Sequence, residues 1–403
     1  MNLFLFDHIT KDPAVAALLR FSETGDSADY YTAARTLIAY SAHRLTDRNL
    51  IAEYVLRSML EEDLLPDIEN LRDFLRRDVK CIYAALLAVD WDQMFREKGF
   101  LPLSKMGTQR IHTGLSSYVR SLESMIESSS NEALCGAILA HAESFGTGKA
   151  TAYAALRWDG GALVGINSPD AITFRDLTGL AHQKAVLIEN TERFVNGYHA
   201  NDVLLTGSSG TGKSSSVKAC LNMFKDRGLR LIELSKSQLA DLPAVFRAMK
   251  NPVLRYIIFI DDLSFEPDDA SYKLLKSALD GQAEARGNNV LIYATSNRRS
   301  LIKETWSERE GYLGDEVHRA EGLSERKSLS ARFGITLSFL TPTQNEYLEI
   351  VENILSAAGV AMTEEIRAKA LTWEMQYNGF SGRTAKQFAA SILSTDTSYN
   401  IER

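Results

Sequence analysis

The sequence predicts an α/β fold: a parallel five-stranded sheet with helices on both faces, preceded by an all-helical N-terminal domain and followed by a small C-terminal helical lid. Three observations carry that reading. The apolar run Val203-Leu204-Leu205-Thr206 opens into the glycine-rich stretch Gly207-Ser208-Ser209-Gly210-Thr211-Gly212-Lys213-Ser214, and Ser215 to Met223 behind it is free of Pro and tolerant of a helix. Further apolar runs, Leu229 to Leu234, Tyr256 to Ile260, Val290 to Thr295 and Ile335 to Phe339, are short, β-branched or aromatic, and separated by helical patterns. Strand alternating with helix predicts a parallel sheet covered on both faces. By contrast, Asp12 to about Ser144 is helical in pattern with little Pro, and Thr343 to Leu393 returns to helices.

A chain of 403 residues is too long for one ordinary core. Residues 1–150 read as the helical N-terminal domain, 151–170 as a short β-hairpin and linker, 171–341 as the α/β nucleotide-binding core and 342–403 as the lid. A hydrophobic fraction of 45% and a charged fraction of 24% are those of a soluble globular protein. The net charge of −7 gives no global pull toward nucleic acid. Met1 to Asp7 lacks the basic start of a signal peptide, and the longest apolar stretches, such as Ala84 to Val89, fall far short of a membrane span. Cys81, Cys135 and Cys220 are widely spaced, odd in number and without C-x-x-C. Buried, reduced thiols in a cytoplasmic protein without membrane attachment are therefore expected.

In chain order, Tyr31 to His43, Asn49 to Leu60 and Leu71 to Phe95 place apolar residues at three- and four-residue intervals. Gly114 to Ile126 and Asn131 to Phe145 read as two more helices, and no fixed repeat emerges. His8, His43, His112 and His141 never stand four apart and no carboxylate joins them, so they read as satisfied surface or core histidines. Gly146-Thr147-Gly148-Lys149 imitates the end of a phosphate loop but lacks the first glycine and the following hydroxyl, and reads as a turn. Tyr153 to Ile166, broken by Asp159-Gly160-Gly161, reads as a hairpin, and Ala181 to Gly197 as the helix that delivers the chain to the first core strand. The lid is expected as helices over Gln344 to Ala358, Thr363 to Tyr377 and Gly382 to Leu393.

The glycine-rich stretch fits G-x-x-x-x-G-K-[ST], the P-loop, and its strand–turn–helix context makes the core a P-loop NTPase fold. Glycines let successive backbone N–H groups turn inward on phosphate oxygens, and the helix N-terminus adds partial positive charge. The expected phosphate cradle is Gly207, Ser208, Ser209, Gly210, Thr211, Gly212, Lys213, Ser214 and Ser215, with Lys213 on the β- and γ-phosphates and the Ser214 hydroxyl on Mg²⁺. Tyr256-Ile257-Ile258-Phe259-Ile260-Asp261-Asp262 is an apolar strand ending in paired acids, the Walker B layout. Asp261 is expected to hold Mg²⁺ through water, and Asp262 to orient or deprotonate the attacking water; Glu266 is a second candidate for that task. Val290-Leu291-Ile292-Tyr293-Ala294-Thr295-Ser296-Asn297 ends another strand in polar side chains, placing Asn297 to bond the attacking water or the γ-phosphate.

In order and spacing these parts resemble the AAA+ ATPases over roughly Ala171 to Leu393. Asp261-Asp262-Leu263-Ser264-Phe265-Glu266 and Ala294-Thr295-Ser296-Asn297-Arg298-Arg299 resemble in particular an uncharacterised bacterial AAA+ group described only as a domain of unknown function. The resemblance implies ATP and Mg²⁺ as ligands and Ala-Thr-Ser-Asn as sensor 1. Ser328-Leu329-Ser330-Ala331-Arg332-Phe333-Gly334-Ile335 is similar to the segment that carries the arginine finger, and Gly379-Phe380-Ser381-Gly382-Arg383-Thr384-Ala385 to the sensor 2 helix start. Arg326, Arg298 and Arg299 are alternative fingers. Leu177 and Gly179 occupy the position where AAA+ proteins contact adenine. A finger serving a neighbour's ATP implies a homo-oligomer, by analogy a ring of about six.

The sequence departs from most AAA+ motors in closing Walker B with Asp-Asp rather than Asp-Glu, one methylene shorter, which implies slow turnover. Helicase loaders and replication initiators share that pair. The expected function is a Mg²⁺-dependent ATPase driving conformational change in an oligomer. A DNA-linked ATP switch of the loader type and an ATP-binding scaffold without hydrolysis are the alternatives. A small-molecule kinase leaves sensor 1 and the late arginines unexplained, and there is no G-x-S-x-G or H-E-x-x-H. Nothing from Met1 to Phe145 identifies a protein or DNA partner.

Overall fold

Short polar side chains set many of the helix starts. Asp12, Asp26, Asn49, Asp90 and Ser130 each accept hydrogen bonds from the first backbone N–H groups of the helix that follows, satisfying donors that have no partner inside the helix. The helices are α1 (Asp7–Lys11), α2 (Pro13–Thr24), α3 (Ser27–Ser41), α4 (Leu50–Leu60), α5 (Arg72–Ile82), α6 (Trp91–Glu97), α7 (Ser116–Ile126), α8 (Asn131–Phe145), α9 (Ala181–Val195), α10 (Lys213–Phe224), α11 (Leu242–Ala248), α12 (Ser271–Leu279), α13 (Gln344–Ala357), α14 (Glu364–Gln376) and α15 (Gly382–Tyr399). The computed structural model describes residues 2–62, 71–107, 111–265, 271–280, 286–297, 329–376 and 379–399.

The chain divides into two compact units. One comprises Met1–Pro169, Lys225–Leu231 and Ala244–Tyr256; the other comprises Asp170–Phe224, Ile232–Pro243 and Ile257–Arg403. The helical part of the first unit starts earlier than its sequence pattern, with α1 ahead of Asp12 and α3 ahead of Tyr31, and breaks once within it. The apolar periodicity from Leu71 to Phe95 is interrupted by a π-helical turn at Tyr83–Leu87 and by the Asp90 cap. Phe21, Tyr30, Phe95 and Phe100 form an aromatic cluster, with Tyr30 stacked on Phe100 at 4.4 Å between ring centres. The buried Glu53 carboxylate accepts from Leu45 N and from both the amide and the hydroxyl of Thr46. Gly146-Thr147-Gly148-Lys149 is held by the Asn251 side-chain amide, which donates to the carbonyls of Phe145 and Thr147. Cys135 and Cys220 are buried, whereas Cys81 is only half-buried, a departure from the expectation for that thiol.

The strands are β1 (Ala155–Asp159), β2 (Ala162–Gly165), β3 (Val203–Gly207), β4 (Leu229–Leu234), β5 (Arg255–Ile260), β6 (Val290–Ser296) and β7 (Ile335–Phe339). Among the described residues they form one sheet in the order β2-β1-β4-β5-β6-β3-β7, seven strands rather than the expected five. The extra pair is the hairpin, antiparallel with Trp158 opposite Leu163. An isolated two-stranded hairpin is marginal in water, and Leu156 and Trp158 are 0% and 5% exposed. β1 gains its burial by continuing the sheet at β4, where Leu231 N donates to the Ala154 carbonyl. β2, half-buried at best, is left as the edge.

In the second unit β3 lies between β6 and β7 and parallel to both, with Leu205 level with Thr295 and Leu337. All of β6 and the first four residues of β3 are buried, as expected of strands covered on both faces. The C-terminal region of α13 to α15 has its own core of Tyr347, Leu348, Val351, Leu355, Ala370, Ala385, Phe388 and Ala389. Its first helix starts with a capping box in which Thr343 and Glu346 exchange hydrogen bonds. Among the described residues no helix is long and apolar enough to cross a membrane.

Candidate nucleotide-binding site

Parallel strands β3 and β6 end level with one another, and β5 ends beside β6. The side chains that follow each strand therefore converge at one rim of the sheet. They open onto a cleft of about 890 Å³ within the second unit.

The loop after β3 turns where only glycine fits. Gly207 has φ of +143°, and a Cβ there would lie 2.0 Å from the Phe339 carbonyl oxygen on β7. Gly210 has φ of +78°; its carbonyl accepts from Gly382 N at 3.0 Å, and a Cβ would press on Ser381. Helix α15 thus begins against the loop. Ser209 through Ser215 line the cleft, while the carbonyls of Gly207 and Ser208 accept from the Lys213 ammonium at 2.7 Å each.

Lys213 makes a third bond, to Asn297 Oδ1 at 2.9 Å. It is 6% exposed, and that burial draws its pKa below the ordinary lysine value; Asp261 and Asp262 oppose the shift and Arg383 adds to it. Ser214 Oγ donates to Asp261 Oδ1 at 2.7 Å. Asn297 Nδ2 donates to Asp262 Oδ1 at 2.6 Å. Asp262 lies in the left-handed region with φ of +53°, sparsely populated for a residue with a Cβ.

The expected residues do not all meet. Leu177, Gly179, Asp261, Asp262, Asn297 and Arg383 line the same cleft as the loop. Arg332 does not; its Nε donates to Asp280 Oδ1 at 2.5 Å, away from these residues. Glu266, Arg298, Arg299 and Arg326 lie outside the described residues. Thr295 belongs to the Ala-Thr-Ser-Asn stretch but has no role of its own in the sequence reading, yet its hydroxyl touches both acids, donating to Asp261 Oδ1 at 2.5 Å and accepting from Asp262 N at 2.9 Å. Lys386, Leu180 and Ile350 also line the cleft. Leu180 carried no signal beyond preceding a helix; it packs on Gly212.

The residues present suit a magnesium nucleoside triphosphate. A hydroxyl and a carboxylate 2.7 Å apart are the hard oxygen donors that Mg²⁺ takes. The loop from Ser209 to Ser215 lines the cleft where α10 begins, and Lys213 supplies positive charge beside it.

Comparison with known proteins agrees with the sequence resemblance. The family whose sequence model matches, over residues 151–396, is described as Protein of unknown function (DUF815). No curated protein matches. Among solved structures, the Thermotoga maritima RuvB Holliday junction branch migration motor is 18% identical, with a TM-score of 0.41; the match covers 57% of this chain and 66% of the motor, just under two thirds of its length. The Aeropyrum pernix ORC1 protein in complex with DNA is 16% identical with a TM-score of 0.39, covering 56% of this chain and 64% of that one. The FIGL-1 AAA domain in complex with ADP is 21% identical with a TM-score of 0.37, covering 54% and 72%. The match over residues 151–396 takes in β1 to β7 and the helices from α9 to most of α15, and the chain belongs to the DUF815 family, whose function is unknown.

Proposed function

We propose that the protein binds ATP with Mg²⁺ in the cleft at the end of β3 and hydrolyses it slowly. One observation carries the reading: a continuous hydrogen-bonded circuit from Lys213 through Asn297 to Asp262, and from Asp262 N through Thr295 and Asp261 to Ser214. It joins the loop that grips phosphate to the acids that serve hydrolysis. Mg²⁺, when bound, neutralises charge on the β- and γ-phosphates.

Each side chain then has a task. Lys213 holds the phosphates, and Ser214 with Asp261 holds the metal. Asp262, oriented by Asn297, positions the attacking water. Leu177 and Gly179 receive the base, and Arg383 comes from the lid to the γ-phosphate. The Asp at 262 keeps the water closer to the backbone than a Glu does, which favours slow turnover. By the AAA+ resemblance the working form is an oligomer in which Arg332 serves a neighbour, and nucleotide state drives movement between subunits.

Two variants test this. Lys213→Ala should lose Mg-ATP binding by equilibrium titration. Asp262→Asn should bind like the wild type while phosphate release falls by about a hundredfold or more. Full turnover in Asp262→Asn refutes the assignment, and wild-type binding without any phosphate release identifies a scaffold instead of an enzyme.

A further inference from the structure

The two acids that end β5 are not held by β5 itself. Asp262 stands past Ile260, the last residue of β5, and its N–H is given to a side-chain acceptor. That acceptor is Thr295 Oγ1 at 2.9 Å, on the neighbouring strand β6. A hydroxyl has one proton to give. With a lone pair turned to Asp262 N, the proton is directed at Asp261 Oδ1, 2.5 Å away, and a carboxylate can only accept it.

Further contacts fix the geometry. Asp261 Oδ1 also accepts from Ser214 Oγ at 2.7 Å, so this oxygen is pinned between two hydroxyls. The Thr295 carbonyl accepts from Leu263 N at 2.7 Å, so the N–H groups on both sides of the Asp262 Cα are tied to one residue of β6. Thr295 is 1% exposed. A buried β-branched side chain has little rotamer freedom, so its hydroxyl is a rigid post.

From this arrangement we infer that Thr295 is a positioning residue: a single hydroxyl sets the orientation of the metal-side acid Asp261 and holds the backbone of the water-side acid Asp262, coupling the two. The role rests on the proposed Mg-ATP site, but the hydrogen bonds themselves belong to the protein alone.

The experiment compares full-length wild type with Thr295→Val, which keeps the shape and loses the hydroxyl, and Thr295→Ser, which keeps the hydroxyl and loses the methyl. Thr295→Cys, a weak donor of similar size, is measured beside them in case the Val variant does not fold. Amide-resolved hydrogen exchange without nucleotide is the first readout. In the Val variant the Asp262 amide should exchange about tenfold faster or more, the scale of one lost hydrogen bond. The Leu263 amide, bonded to the Thr295 carbonyl, should keep its protection. Ser should restore the Asp262 amide, with Cys between.

The second readout is the Mg²⁺ concentration at which a ribose-labelled fluorescent ATP analogue tightens its binding. Its midpoint should rise by about tenfold or more in Thr295→Val, the usual loss when a side chain supporting a metal ligand is removed. Binding in EDTA should stay within about twofold, because the Lys213 contacts are untouched. Unchanged Asp262 exchange and an unchanged Mg²⁺ midpoint in Val or Cys overturn the inference, as does a Ser variant that behaves like Val. A wild-type protein that binds no Mg-nucleotide sinks the proposed function instead, and the exchange comparison then decides the role of the hydroxyl by itself.

Discussion

Gly207 shows how far one residue type is dictated by its surroundings. It pairs with Phe339 on β7, and its φ of +143° leaves a Cβ nowhere to go but into the Phe339 carbonyl at 2.0 Å. Gly207→Ala should therefore cost about 2 kcal/mol or more in urea unfolding, and weaken nucleotide binding as the loop shifts. Gly136, exposed in the middle of α8 with open space at its Cβ, is the matched control; Gly136→Ala should be neutral or stabilise by up to about 1 kcal/mol. Equal effects in the two variants would remove the steric argument. Residue identities at the cleft were legible in the sequence because the P-loop, the paired acids and Ala294-Thr295-Ser296-Asn297 each have a fixed local spacing. What local spacing could not supply is which atoms touch. The contact of Thr295 with Asp261 depends on β5 and β6 being neighbours, and that of Lys213 with Asn297 on β6 standing beside β3. Both follow from strand order, which no stretch of sequence states.

At the scale of elements, the core strands are read most closely: Leu229 to Leu234 and Ile335 to Phe339 match β4 and β7 end to end, whereas α3 begins at Ser27, four residues before the apolar spacing from Tyr31. The hairpin was also legible, but its destination was not: β1 and β2 extend the core sheet because Leu156 and Trp158 need cover, a demand settled only by packing. Helix α8 adds a chemical consequence. His141 is 1% exposed, its Nδ1 lies 2.9 Å from Ser121 Oγ, and its ring packs on Tyr118 and Phe145. Burial disfavours the charged ring and lowers its pKa from 6.5 to about 4. Between those values the unfolded chain takes up a proton that the folded one refuses. The contribution to stability is therefore complete above pH 6.5 and lost as the pH falls toward 4, by about 3 kcal/mol in all. His141→Phe keeps a ring in place without the proton. Urea midpoints measured from pH 7 to pH 4.5 should fall less steeply for this variant than for the wild type, even if it starts lower because Ser121 loses its partner. Parallel slopes would mean that the ring is protonated in the folded protein.

For the molecule as a whole, the question is whether one chain makes a complete site. Within a single chain the cleft gathers Lys213, Ser214, Asp261, Asp262, Asn297 and Arg383, whereas Arg332 stands apart with Asp280, its side chain 29% exposed. A guanidinium that stabilises charge on transferred phosphoryl oxygens has to reach them, so if Arg332 acts, it acts on another subunit's nucleotide. Arg332→Ala should then bind Mg-ATP like the wild type and hydrolyse it on the order of a thousandfold more slowly. Lys213→Ala should be inactive for the opposite reason, having its arginine but no grip on phosphate. In a mixture, a Lys213→Ala subunit can lend its intact Arg332 to the intact site of an Arg332→Ala neighbour. Activity should reappear from two inactive proteins and pass through a maximum as their ratio is varied. If the arginine served its own chain, every subunit in the mixture would lack one half of the machinery, and no ratio would restore phosphate release.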